Sequence, residues 1–545
     1  MDGILDAAAV RDTNVVVFVG GQPTATIFPG QLKPSYGIYD LAKPDQIGGL
    51  VLSADIGHNL DTSAIKHFCD NYSTPIIVNS LGVTGIPNIL ADNTGGMRQL
   101  LRHLIRDHHY QRIAFLRGLK GQFEAEQRFH AYKEELKANG IHFEEKLVVN
   151  GDLTPESGRA AVKTLFDDRK VTVDAIVSAN DRMAFGILEE LQSRGIQVPG
   201  DVALAGFDDL NESQSLGVPL TTVRQSFYSF GKQAVDSLMH MIAGEEVPPQ
   251  IVVPTSLVVR WSCGCLPESV RKAALQPAQV AQTGRLENKR EVAVNAMMMA
   301  AGVHISDGHT RELTNVFART WDTFLAELQN KEDSDGFLKA IEATIRLLEQ
   351  YEKDTSTWHN VISTLRHHAL AAITDPAIAL RAENMFQQAR LLAGELSQRM
   401  QAYRRLQLEQ QEEVLQGFSF SMAPAMSLKE IADAMVTNFP AMDVQRCYVM
   451  MYSDIPHPQS PSISPAENYR LLVSYDEQGI KTPLDRPHLM PGHLNPEGKT
   501  PVDRRYSAIV MPLTIADTRF GFIWIEMGQR DWEVYVRIRN LLSSA

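Results

Sequence analysis

A chain of 545 residues is too long for one hydrophobic core, and at roughly 150 residues per domain it divides into three or four units. Its apolar content of 44% and charged content of 21% are ordinary for a globular protein, and a formal net charge of -13 excludes a broad nucleic-acid-binding face, leaving room only for a small basic module. There is no run of about 18 apolar residues, no basic segment leading into an apolar core at the amino terminus, and only four cysteines, so the expected location is the cytoplasm with no membrane partner.

From Met1 to about Arg260, short apolar strands alternate with amphipathic helices, the pattern of βαβ units and a parallel sheet. Asp2–Val10 reads as a helix, and strands are expected at Val15–Val19, Gly49–Leu52, Ile76–Val78, Ile113–Leu116, Ala175–Val177 and Val202–Ala205. Ala91–Ile105 carries a helix whose first turn Asp92 or Asn93 can cap. The Asp92 carboxylate has a second use open to it, facing a ligand.

Three segments carry the functional signal: Ser178-Ala-Asn-Asp-Arg-Met-Ala-Phe-Gly186, Val202-Ala-Leu-Ala-Gly-Phe-Asp-Asp209 and Thr221-Thr-Val-Arg-Gln225. Each is an apolar strand ending in polar residues. Asn180, Asp181 and Asp208 therefore fall at the carboxyl ends of parallel strands, where open α/β sheets bind ligands. Order and spacing resemble the sensor domain of the LacI/GalR regulators, which has the two-lobed fold of periplasmic sugar-binding proteins.

The resemblance implies ligand contacts at Asp92, at Arg128 (in Arg128-Phe-His-Ala-Tyr132), at Asn180, Asp181 and Asp208, and at Gln225. These side chains suit a small polar ligand, a sugar included, because a buried hydroxyl needs both donors and acceptors. For Asp181 and Asp208 the alternative use is a helix cap or a strut. The loop Gly118-Leu-Lys-Gly121 lacks the family's serine-rich pattern, which leaves a basic ligand as open as a sugar; Gly20 and Gly21 read as turn residues. The resemblance also implies a strand ahead of Asp2–Val10 that this sequence does not contain. On that ground the amino-terminal end reads as incomplete and the first lobe is expected to lack an interior strand. Leu541-Leu-Ser-Ser-Ala545 stops in what reads as a continuing helix, so the other end reads as incomplete too.

Residues 261–285, with Cys263-Gly-Cys265 and no clear periodicity, read as a linker, and 286–383 as a helical domain with stripes Trp321, Phe324, Leu325, Leu328 and Ile341, Ile345, Leu348. Residues 384–416 follow coiled-coil spacing through Phe386, Ala389, Ala393, Leu396, Met400 and Tyr403, then Gln407, Gln410 and Val414, which predicts a signalling helix and a homodimer. From 417 to 545 the chain is mixed α+β. A capped helix from Ser427, strands at Cys447–Tyr452, Tyr469–Ser474, Ser507–Leu513 and Gly521–Glu526, and a helix from Trp532 resemble a GAF-type sensor in order alone.

Competing chemistry finds little support. There is no Walker A loop, no H-E-x-x-H and no G-x-S-x-G, so no catalytic residue, cofactor or metal is expected. Ser63-Ala-Ile-Lys66 fits S-x-x-K only by chance. Cys263 and Cys265 form a lone C-x-C and read as inert, and His108-His109 and His367-His368 read as solvated neighbours. The expected architecture is a periplasmic-binding-protein-like α/β domain over 1–260, then the all-α region and the α+β domain. The expected function is ligand-responsive control of transcription, with DNA reached only through a helix-turn-helix not present here. The alternative is the input half of a GGDEF or histidine-kinase protein.

Overall fold

The computed structural model describes residues 1–20, 24–28, 31–34, 38–43, 45–53, 56, 62–274, 286–301, 310–329, 335–351, 357–425, 427–452, 469–476, 479–481, 489–490, 504–515, 518–528 and 532–544. Gly21 and residues 275–285 of the expected linker lie outside them. The chain forms two compact units, one of residues 1–258 with 410–545 and the other of 259–409.

In the first unit, two parallel four-stranded sheets make the lobes. One runs Ala203–Ala205, Ala175–Ser178, Ile113–Arg117, Val148–Asn150, and the other Gln250–Val253, Asn88–Ala91, Ile76–Asn79, Leu50–Leu52. Their strands are continuous apolar runs because helices cover them: Ala175–Ser178 and Asn88–Ala91 are buried throughout. Thr222–Gln225 pairs antiparallel with Thr255–Val258 in a separate ribbon.

The strand at Val15 departs from expectation. Val15–Phe18 does not join the first lobe's sheet; it lies parallel to Ser507–Ile515, in register Val15 with Ser507 through Phe18 with Val510. The cause is the period of two in a strand. Val16 and Phe18 pack on a core shared with Leu52, Phe68, Tyr448 and Trp524, while Val17 and Val19 pack on Ile509, Met511 and Tyr535. The lobe's sheet ends at Leu50–Leu52 instead. The preceding helix Asp2–Val10 packs against helix Phe227–Ile242, which covers the second of the two parallel sheets, so close that a Cβ on Gly3 would stand 2.0 Å from the Tyr228 carbonyl oxygen.

The carboxyl-terminal strands Cys447–Tyr452, Tyr469–Asp476, Ser507–Ile515 and Thr518–Glu526 form the antiparallel centre of that shared sheet. Both faces are covered. Cys447, Val449, Ile523 and Ile525 meet helices Leu428–Asn438 and Trp532–Ser544, whereas Tyr448, Met450, Phe522 and Trp524 meet residues of the first lobe.

The second unit packs helices Arg290–Ala300, Thr310–Gln329, Gly336–Tyr351, Thr357–Leu370 and the first part of Pro376–Met422 around Trp321, Phe324, Phe337, Ile341 and Leu365. Here the expected seam is corrected. Phe386, Ala389, Ala393 and Leu396 are buried in this core, with Phe386 stacked on Phe324 at 5.0 Å, so they cannot also face a second chain. Of the later seam positions, Met400 is half-buried and Tyr403, Gln407 and Gln410 are exposed. Among the described residues no helix is long and apolar enough to cross a membrane.

Candidate ligand-binding site

The six expected residues divide into three that hold the scaffold and three that gather at one place. Asp92 caps helix Asn93–Arg102: its Oδ1 accepts from Gly95 N at 2.8 Å, and its backbone oxygen accepts from Thr255 Oγ1 at 2.9 Å. Asn180 caps the helix that begins at Asp181, accepting from Met183 N, and its Nδ2 donates to the Leu153 carbonyl.

Asp181 is a strut. It is fully buried and accepts from Leu210 N at 3.0 Å, Ser213 Oγ at 2.6 Å and Thr222 Oγ1 at 2.6 Å. Burial pushes its carboxyl above the ordinary range, while these three donors pull the other way. Gly206 is required beside it, because a Cβ there would stand 2.2 Å from Asp181 Oδ1.

Arg128, Asp208 and Gln225 come together. Helix Phe123–Ala138 buries Arg128, whose Nε donates to Asn93 Oδ1 at 2.7 Å and whose Nη1 donates to the Ala179 carbonyl at 2.7 Å. Its guanidinium lies over the Phe207 ring at 3.9 Å, with Glu124 Oε2 at 3.6 Å. Asp208 follows the strand Ala203–Ala205 in left-handed backbone, at φ 130°, a conformation that costs energy for any residue but glycine. Gln225 Nε2 donates to Asp208 Oδ1 at 2.6 Å, and Arg128 Nη1 lies 3.7 Å from that oxygen, beyond hydrogen-bond reach. Burial pushes the Asp208 carboxyl up to about 7; Arg128 and Gln225 oppose the shift, and Asp181 and Glu124 add to it.

Further residues, not expected as ligand contacts, stand at the strand ends and at the start of the capped helix. Asn93 is buried, accepts from Arg128 and donates to Gln127 Oε1 at 2.9 Å, which ties the capped helix to Phe123–Ala138. Ser178 and Asn79 each end a parallel strand, and Ser178 Oγ and Asn79 Oδ1 are buried with no hydrogen-bond partner among the described residues. Their signal was the same as that of Asn180: a polar side chain closing an apolar strand.

Residues 101–263 match the family described as the periplasmic binding protein-like domain. That stretch is a periplasmic-binding-protein-like domain. Among similar curated proteins, the HTH-type transcriptional regulator CelR of Thermobifida fusca is 38% identical over 172 residues, 31% of this chain and 50% of that protein. The lactose operon repressor of Escherichia coli is 28% identical over 216 residues, 39% of this chain and 58% of that protein. A solved structure titled transcriptional regulator CelR–cellobiose complex aligns at 31% identity with a TM-score of 0.36, over 40% of this chain and 66% of that one. This chain thus spans between half and about two thirds of the length of the curated relatives named first, with 50% for CelR and 62% for the HTH-type transcriptional repressor MelR of Bacillus subtilis.

Proposed function

We propose that the periplasmic-binding-protein-like domain senses a small polar ligand, of the sugar class, and that its occupancy controls transcription. The observation that carries this reading is the cluster of Arg128, Asp208 and Gln225 at strand ends. Asp208 holds a strained backbone and a raised carboxyl there, and among the described residues its carboxylate receives one hydrogen bond, from Gln225. Such an uncommitted buried acceptor beside a fixed donor fork suits a hydroxyl that both gives and takes. The names of the relatives, transcriptional regulators and repressors, support the output.

Within this reading Arg128, Asp208 and Gln225 contact the ligand, and Asp92, Asn180 and Asp181 hold the strand ends that present them. The carboxyl-terminal α+β part acts as a GAF-like module, and the exposed Tyr403, Leu406 and Leu408 serve a homodimer. The reading is tested by calorimetric titration of mono- and disaccharides into the full chain and its Asp208→Ala variant. Saturable binding that Asp208→Ala weakens supports it, and binding indifferent to that change rejects this site.

A further inference from the structure

The helical unit, residues 259–409, holds a polar cluster that the sensing role does not use. On helix Thr357–Leu370, Asn360, Ser363 and His367 stand at i, i+3 and i+7, within one face. Arg390, on helix Pro376–Met422, reaches this row: its Nη2 donates to Ser363 Oγ at 3.2 Å. An arginine carries five N–H donors, and that is the one side-chain hydrogen bond of Arg390 among the described residues.

Among the described residues no carboxylate forms an ion pair with it, and the Glu383 charge offsets its own only in part. The nearby Glu383 is taken in a two-pronged pair by Arg366, at 2.5 and 2.8 Å. Arg366 also donates to the Ala273 carbonyl at 3.1 Å, and the His367 ring bonds the Ala274 backbone. Two further atoms of the row, Asn360 Oδ1 and His367 Nε2, are buried with no hydrogen-bond partner among the described residues. Burial and then neighbouring positive charge hold His359, His367 and Arg390 below their ordinary values. The face thus carries one guanidinium without an ion-pair partner among the described residues, imidazoles held toward their neutral form, and unmet hydrogen bonds, each of which costs free energy in a half-buried place.

One kind of occupant removes all of these deficits. An oxyanion accepts from the free prongs of Arg390 and, because its negative charge favours proton uptake by the imidazole, from His367 Nε2. The Asn360 amide, turned over so that its nitrogen faces the row, donates as well; the two orientations of an amide are nearly isosteric. We propose that Asn360, Ser363, His367 and Arg390 form a binding site for a small oxyanion, the phosphate or carboxylate group of a small molecule.

The test is calorimetric titration of the full chain with inorganic phosphate and, separately, with acetate, at ionic strength held constant with potassium chloride. At least one of them saturates in the millimolar range, and Arg390→Met weakens it by about tenfold or more, while Arg390→Lys retains part of it. Without added anion, Arg390→Met melts at the same temperature as the parent or higher, because it removes an uncompensated charge; a merely structural arginine would lower the melt. Arg128→Met, in the sugar-sensing cleft, leaves the anion binding unchanged. No saturation below about 50 mM by either anion, saturation indifferent to Arg390→Met, or saturation lost in Arg128→Met instead overturns the proposal.

Discussion

Arg128 Nη1 and Asp208 Oδ1 face each other at 3.7 Å across the candidate site, near enough to feel each other's charge and too far apart to hydrogen bond. Arg128 is already committed to Asn93 and Ala179, so its position is fixed by the protein. Asp208 is held by Gln225 alone among the contacts at that oxygen, and burial raises its carboxyl toward neutrality.

That shift has a sign. A carboxyl raised from about 3.9 unfolded to about 7 folded binds its proton more tightly in the folded state, so its ionisation opposes folding. The penalty is absent below the unfolded value, grows from about pH 4 to pH 7 and is constant above. Asp208→Asn should therefore gain stability relative to the parent as pH rises, by on the order of 2–4 kcal/mol at pH 8 compared with pH 4. Urea unfolding of both proteins at pH 4.5 and 8 gives the difference. An offset that does not change with pH would refute a raised Asp208.

Asp181 and Asp208 should separate in kind. Asp181→Ala strands the Leu210 amide and the Ser213 and Thr222 hydroxyls in a buried place, a loss of about 3 kcal/mol in stability. Asp208→Ala should cost ligand affinity by about 1–3 kcal/mol with little loss of stability. Chemical denaturation and titration on both variants check the contrast; two variants with the same profile would merge the roles.

Val17 should matter to the far end of the sequence. Its strand completes the sheet at Ser507–Val510, so Val17→Pro removes a ladder donor and distorts that edge. Hydrogen exchange at Val510 and its neighbours should speed up by about tenfold or more, while Ile113–Arg117 keeps its protection. Unchanged exchange in 507–510 would mean the strand pairs elsewhere.

Self-association is expected to depend on the exposed part of the long helix. Tyr403, Leu406 and Leu408 are all largely exposed, unlike Phe386 and Ala389 on the same helix. Tyr403→Glu with Leu406→Glu should shift sedimentation of the full chain at about 10 μM toward monomer, and a parent that already sediments as a monomer would remove the homodimer.

Much of this was legible because the deciding interactions are local. The strand at Cys447–Tyr452, the stripes Trp321–Phe324–Leu328 and Ile341–Ile345–Leu348, and the strand-end placement of Asn180 and Asp208 all follow from side-chain period and composition. The strands Asn88–Ala91 and Val148–Asn150 were not singled out, being four and three residues long with an asparagine at one end. The partner of Val15–Phe18 was not legible either, because alternating apolar side chains fit any apolar sheet edge. The choice fell to Ser507–Val510, far along the chain. The heptad from Phe386 to Leu396 was real, but its spacing does not say whether the covering helices belong to the same chain; here they do. Asp92 had two uses open, and the Gly95 amide decided for the cap.

The central claim is that Asp208, positioned against Arg128 and Gln225, is the acceptor for a small polar ligand. The most direct measurement is calorimetric titration of a saturating saccharide, found by thermal-shift screening, into the parent, Asp208→Ala and Asp92→Ala at one pH. The account predicts a loss of about tenfold or more for Asp208→Ala and a much smaller change for Asp92→Ala, whose carboxylate caps a helix. A ligand that binds Asp208→Ala as tightly as the parent, or loses its affinity only in Asp92→Ala, would contradict it.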